Sequence, residues 1–202
     1  MQELSFEQKS QLFLNNFMQN YYHKLRHRSN SFLNAFKYLI SLKKDSYFIV
    51  ETGMCRIENN FDGDGMSTIL WDEFINIFGG KVYSVDILQV TVNFTKNKVS
   101  NLCTLFCQDS VSFLHQLSLQ ENLSQIDLLY LDSFDLDWNN PHPSSFHHMK
   151  EFLAIKSKIN SGCLILIDDN NRNLGKGRYV DEFMTNIQKQ KIIDEYQIAW
   201  IW

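Results

Sequence analysis

The sequence predicts an α/β fold of the Rossmann-like, doubly wound kind: a mostly parallel sheet with helices on both faces and a C-terminal antiparallel strand pair. Two observations carry this. Short apolar runs rich in β-formers alternate along the chain with stretches of helical periodicity. The runs also end in acid: Tyr47-Phe48-Ile49-Val50 before Glu51, Val82 to Val85 before Asp86, Leu128 to Leu131 before Asp132, and Leu164 to Ile167 before Asp168-Asp169. Continuous apolar runs this short suit strands buried on both faces. Parallel strands deliver their last residues to one edge, where ligands of such sheets bind.

Taken in order, residues 5–43 read as helical, with Leu12, Phe13, Phe17 and Tyr21 at helical spacing and Ser31 as the cap of a second helix. They are expected to cover a sheet face or shape a substrate entrance. The first strand, near 47–51, leads into a long turn from Thr52 to Gly65. Its pairs Asn59-Asn60, Asp62-Gly63 and Asp64-Gly65 are loop signals. Ser67 or Thr68 caps the next helix, which Gly79-Gly80 ends. A strand at 81–86, a helix at 89–99, a strand from Thr104 to Cys107 and a helix from Ser110 to Leu119 follow. After the strand at 126–131, Pro141 and Pro143 fix a loop, and Ser144 caps a helix. Gly162 precedes the strand at 163–167, Asp168 to Gly177 reads as a polar loop, and helix 178–190 leads to closing strands near 191–195 and 197–202.

Residues 1–202 are read as a single domain, with 1–45 as an N-terminal helical cap and 46–202 as the Rossmann-like core. With 202 residues, 44% of them hydrophobic, the chain can bury a sizeable core. A net charge of −4 without a basic block argues against a nucleic-acid partner. His23-Lys24-Leu25-Arg26-His27-Arg28, the most basic stretch, reads as a solvated helix face. No apolar run is long enough for a membrane helix, which needs about 20 residues. Met1-Gln2-Glu3-Leu4 does not begin a signal peptide, so a cytoplasmic location is expected. Cys55, Cys103, Cys107 and Cys163 are expected as reduced thiols.

The rim residues divide into two halves. At one, the helix start at Ser67-Thr68 favours an anion such as a carboxylate, and Glu51 beside Gly53 favours an ammonium. Asp86, at the end of the next strand, suits two ribose hydroxyls, and Asp109-Ser110 can reach an adenine amino group. The implied ligand has an amino-acid end, a ribose and a base, the layout of S-adenosylmethionine. At the other half, Asp132 with Asp168, Asp169 and Asn170 offers oxygen ligands that suit Mg²⁺ or Ca²⁺. His142, in the rigid loop after Asp132, is the candidate general base, with His147 and His148 second. Phe134 and Trp138 can wall a substrate pocket. Asn170 to Gly177, with Arg172 and Lys176, can form a lid.

These pieces together resemble class I S-adenosylmethionine-dependent methyltransferases. The resemblance rests on Val50-Glu51-Thr52-Gly53, Val82 to Asp86, Gln108-Asp109-Ser110, Leu129 to Asp132 and Gly162 to Asp169, which cover residues 47 to about 170. One departure is that only Gly53 follows the first strand, with Gly63, Gly65 and Ser67 arriving after a long segment. The acid cluster is similar to that of metal-dependent O-methyltransferases acting on sugars and catechols. There a divalent ion holds two substrate oxygens and lowers the pKa of the attacking one. The resemblance implies methyl transfer to a hydroxyl of a small molecule, with sugars and glycoconjugate precursors as candidate acceptors. S-adenosylmethionine would be the cofactor, Mg²⁺ or a similar divalent cation would assist, and Asp132 would serve in catalysis as well as metal binding. A homodimer is compatible with the aromatics at Tyr21-Tyr22 and Trp200-Ile201-Trp202. Two other readings stay open: a non-catalytic domain binding a nucleoside or a partner protein, and a nucleotide-sugar enzyme using the same acids.

Overall fold

The computed structural model describes residues 4–63, 66–171 and 174–202. Met1 to Glu3, Asp64, Gly65 and Arg172, on which parts of the leader, loop and lid readings rest, lie outside the described residues. The helices are α1 (Phe6–Asn20), α2 (Ser29–Ser41), α3 (Ser67–Phe78), α4 (Gln89–Lys96), α5 (Ser110–Ser118), α6 (His142–Ile155) and α7 (Arg178–Asn186). The strands are β1 (Tyr47–Thr52), β2 (Gly80–Asp86), β3 (Cys103–Cys107), β4 (Leu128–Leu131), β5 (Leu164–Ile167), β6 (Asn170–Asn171), β7 (Leu174–Gly175), β8 (Lys191–Asp194) and β9 (Ile198–Ile201).

Seven strands form one sheet in the order β3-β2-β1-β4-β5-β9-β8. β1 to β5 are parallel, and β9 runs antiparallel to both β5 and β8. The strand order reverses at β1, which lies between β2 and β4. A crevice therefore opens beyond the carboxyl ends of β1 and β4. Alternation along each strand splits the core in two. Tyr47, Ile49, Tyr130 and Leu166 face α1, α2 and α3 through Phe13, Phe17, Phe36, Trp71 and Phe74. Phe48, Val50, Leu129 and Ile165 face α5, α6 and α7 through Leu114, Phe152 and Met184. The N-terminal helices thus cover a sheet face.

Three expected caps differ. α2 begins at Ser29, and the Ser31 hydroxyl instead reaches Gln197 Oε1 at 2.6 Å. α3 and α6 begin after Met66 and Pro141 with no side-chain cap. Ser67 is drawn to Glu51, and Ser144 bonds the Phe134 carbonyl at 3.0 Å. The polar stretch expected as a loop from Asp168 to Gly177 contains the two-stranded hairpin β6-β7. All four cysteines are free, and only Cys107 is exposed. Among the described residues no helix is long and apolar enough to cross a membrane.

Candidate active site

The floor of the crevice is Gly53. It follows β1 with φ +86°, and a Cβ there would lie 2.5 Å from the Asp132 carbonyl oxygen. The ends of β1 and β4 approach so closely that only glycine fits. Glu51, two residues earlier, points to the α3 side and is fully buried. It stands opposite Ser84 in the β1–β2 register, and the Ser84 hydroxyl donates to Oε2 at 2.6 Å. The Ser67 hydroxyl donates to Oε1 at 2.6 Å. Burial pushes the Glu51 carboxyl up to about 7, against the pull of these hydroxyl bonds. Glu51, Ser67 and Ser84 therefore tie β1, α3 and β2 together, and Thr68 beside them is fully buried. The structure does not expose Glu51 to an ammonium, because its oxygens are already enclosed.

Asp86 ends β2 and lines the crevice. Its carboxylate accepts from the N–H of Leu88 at 2.8 Å and of Met54 at 3.3 Å, which fixes the loops on either side. Burial raises its pKa. A small cavity adjoins it, lined by Asp86, Asp109, Ser110, Ser133, Phe134 and His147. Asp109 caps α5 through the Ser112 N–H at 2.8 Å, which holds its pKa below the ordinary value. The Ser110 hydroxyl meets His147 Nε2 at 2.9 Å, and Ser133 donates to the buried Glu151 at 2.6 Å. This cavity and the crevice over Gly53 adjoin one another, both lined by Asp86 and Ser133.

The crevice continues to Asp132, Asp169 and Lys176. Lys176 is buried, and its ammonium bonds Asp132 Oδ1 and lies 2.9 Å from Asp169 Oδ2. Burial alone would lower the lysine pKa, but the carboxylates of Asp132, Asp169 and Asp168 outweigh it and hold the ammonium protonated. Burial raises the pKa of Asp132, with the Lys176 charge opposing and Asp168 and Asp169 adding to the rise.

Asp168 faces away from this pair, toward Arg28 Nη1 at 2.9 Å and the Tyr130 hydroxyl at 2.5 Å. Asn170 is a loop clamp: its amide donates to the carbonyls of Ile167 at 3.0 Å and Asp168 at 2.8 Å, and Oδ1 accepts from the Gly177 N–H at 2.8 Å. The expected metal set therefore corrects as follows. Asp132 and Asp169 are bridged by Lys176, Asp168 is paired with Arg28, and Asn170 holds backbone. Among the described residues no group of three or more His, Cys, Asp or Glu is placed to hold a metal ion. The residues present do not fit a divalent cation.

His142 sits at the start of α6 with Nδ1 2.7 Å from the Tyr179 hydroxyl, and it does not line the crevice. The first turn of α6 carries it toward α7 instead. His148 is buried, with Nδ1 2.8 Å from the Ser144 carbonyl, and burial pushes it down to about 4. Of the three histidines, His147 alone lines the small cavity beside Asp86. Sequence reasoning missed Arg28 as a buried partner, Lys176 as a bridge, and the Ser133–Glu151 pair. Arg28 and Asp168 lie 140 positions apart, and no local pattern joins them. For Lys176 the asparagines before it and the glycines flanking it were a hairpin signal.

A second cavity, of about 510 Å³, adjoins this end and is lined by His27, Trp138, Asn170, Asp194, Glu195 and Tyr196. The Tyr196 hydroxyl donates to Asp169 at 2.7 Å, which links it to the acid cluster.

No protein-family model matches the chain, and no curated protein matches it in sequence. Solved structures do match in fold, and they include methyltransferases with the same Rossmann-like sheet. The apo structure of CalS11, a TDP-rhamnose 3'-O-methyltransferase of calicheamicin biosynthesis, aligns at TM-score 0.62 and 12% identity over 96% of this chain and 93% of that one. The MycE methyltransferase of mycinamycin biosynthesis, in complex with Mg, SAH and mycinamycin VI, aligns at TM-score 0.58 and 13% identity over 86% of this chain. The O-methyltransferase NovP aligns at TM-score 0.54 and 15% identity, over 82% of this chain and 75% of its own. The chain spans about half the length of MycE, 48%. At these identities the likeness is one of fold.

Proposed function

We propose that this protein transfers a methyl group from S-adenosylmethionine to a hydroxyl of a small molecule. The observation that carries this reading is the line of adjoining cavities along the strand ends. It runs from Ser110 and His147, through Asp86, to Gly53 and Asp132. Ser110 and His147 hold the base, Asp86 the ribose hydroxyls, and the Gly53 backbone the amino-acid tail. When bound, S-adenosylmethionine supplies an electrophilic methyl on a sulfonium sulfur. Asp132 is the group that takes the acceptor's hydroxyl proton, and a buried, raised carboxyl is the more basic for it. The cavity beyond Asp169, with aromatic walls at Trp138 and Tyr196 and acids at Asp194 and Glu195, suits a polyhydroxylated acceptor such as a sugar. The sugar-nucleotide named for CalS11 supports that class.

Isotope-labelled S-adenosylmethionine incubated with a panel of free sugars, sugar nucleotides and phenols tests this by mass spectrometry. Label is expected in a hydroxylated product, and Asp132→Asn should lower the rate by about 100-fold or more. No transfer to any acceptor, with no binding of the cofactor, would contradict the reading.

A further inference from the structure

Three carboxylates at the ends of neighbouring strands need positive charge close by. Here the chain supplies it. The β6-β7 hairpin turns back directly after Asp169, and the Lys176 N–H bonds the Asp169 carbonyl at 3.0 Å. Gly175 makes that return possible: its φ is +130°, and a Cβ would lie 2.2 Å from the same carbonyl. Asn170 then holds the Gly177 N–H. Lys176 is thus built into the cluster by its backbone and does not reach in from a flexible arm. Its ammonium spans Asp132 after β4 and Asp169 after β5, the two strand ends that a metal would join. A divalent ion would need the same oxygens, and two cations cannot share them at contact distance.

We infer that Lys176 stands in for a divalent cation, its ammonium bridging Asp132 and Asp169 and offering its remaining N–H to the acceptor oxygen, so that the site works without a metal. An ammonium has three donors, two are engaged by the carboxylates, and Lys176 lines the crevice. A single charge acidifies a bound hydroxyl less than a divalent ion does. The proton therefore leaves as the methyl is transferred. The acceptor O–H bond breaks toward Asp132, the O–C bond forms, the C–S bond breaks, and the sulfonium charge ends as a neutral thioether. Among the described residues the one hydrogen-bond contact to Asp132 Oδ2 is a long one, 3.5 Å from the Tyr130 hydroxyl, which makes this oxygen the open proton acceptor. The acceptor's part rests on the methyl-transfer reading, whereas the bridge does not.

The test reads metal binding directly, so it is separable from a failure of the methyl-transfer reading. Metal-stripped wild type and Lys176→Met are titrated with MgCl₂ by calorimetry and with Mn²⁺ by electron paramagnetic resonance. The wild type should show no saturable site, and Lys176→Met should gain one site with affinity raised at least about 100-fold. If Lys176→Met does not fold by circular dichroism, Lys176→Gln, which keeps a hydrogen-bonding head without the charge, takes its place. Saturable binding by the wild type that Asp132→Asn removes would overturn the inference. So would a folded lysine variant that gains no site, because the carboxylates would then never have been a metal set.

Discussion

Replacing Glu51 with Gln removes a fully buried carboxylate that links β1, β2 and α3 through the hydroxyls of Ser67 and Ser84, with no ion pair among the described residues. Its carboxyl sits at about 7 in the folded protein against an ordinary 4.5. That gap, at about 1.4 kcal/mol per pH unit, amounts to about 3 kcal/mol. The folded state holds the proton more tightly than the unfolded one, so stability from this group is full below pH 4.5 and is lost as the pH rises through about 7. His148 works in the opposite sense, because its depressed pKa makes stability fall as the pH drops from 6.5 toward about 4. The two windows overlap, so the wild-type profile alone does not isolate Glu51. The difference between Glu51→Gln and wild type does. Urea denaturation at intervals from pH 4.5 to 8.5 should find the variant near wild type in acid and more stable by about 3 kcal/mol at pH 8. A difference that stays constant within about 1 kcal/mol across that range would refute the reasoning.

Arg28→Met leaves Asp168 and the Tyr130 hydroxyl buried without their cation, and should cost about 3–5 kcal/mol in urea denaturation. Gly53→Ala places a methyl against the Asp132 carbonyl at a positive φ. It should cost at least about 2 kcal/mol and weaken cofactor binding in calorimetry. His142→Ala should change the transfer rate less than about threefold, because its ring lies on Tyr179, whereas Asp132→Asn removes the proton acceptor. Transfer by the wild type should be unchanged in excess chelator. A rate restored only by added Mg²⁺ would contradict the ammonium's role.

The strands and their order were legible because each is a local pattern. An apolar run ending in Glu51, Asp86, Asp132 or Asp168 marks a buried strand and its rim, and alternation with helices dictates parallel pairing. What those acids do at the rim was less legible. Whether Asp132 faces a metal or a lysine depends on a chain reversal at Gly175, 43 positions later in the sequence. Arg28 lies in a basic stretch whose other charged members are exposed, and it is buried by distant partners, Asp168 after β5 and the Phe61 carbonyl. Glu51 and Ser67 are each read correctly as rim residues by spacing. Their mutual bond across the long segment after Gly53 is a tertiary fact. Capping propensity failed at Ser31, Ser67 and Ser144 for the same reason, because a stronger partner elsewhere claimed each hydroxyl.

In the proposed function, the site over Asp86 and Gly53 binds S-adenosylmethionine without a metal. Calorimetric titration of S-adenosylhomocysteine into the protein in excess chelator measures this most directly. One site per chain is expected, weakened about 10- to 100-fold by Asp86→Ala through the loss of about 1.5–3 kcal/mol of charged hydrogen bonding. No binding to the wild type, or binding that Asp86→Ala leaves unchanged, would contradict it.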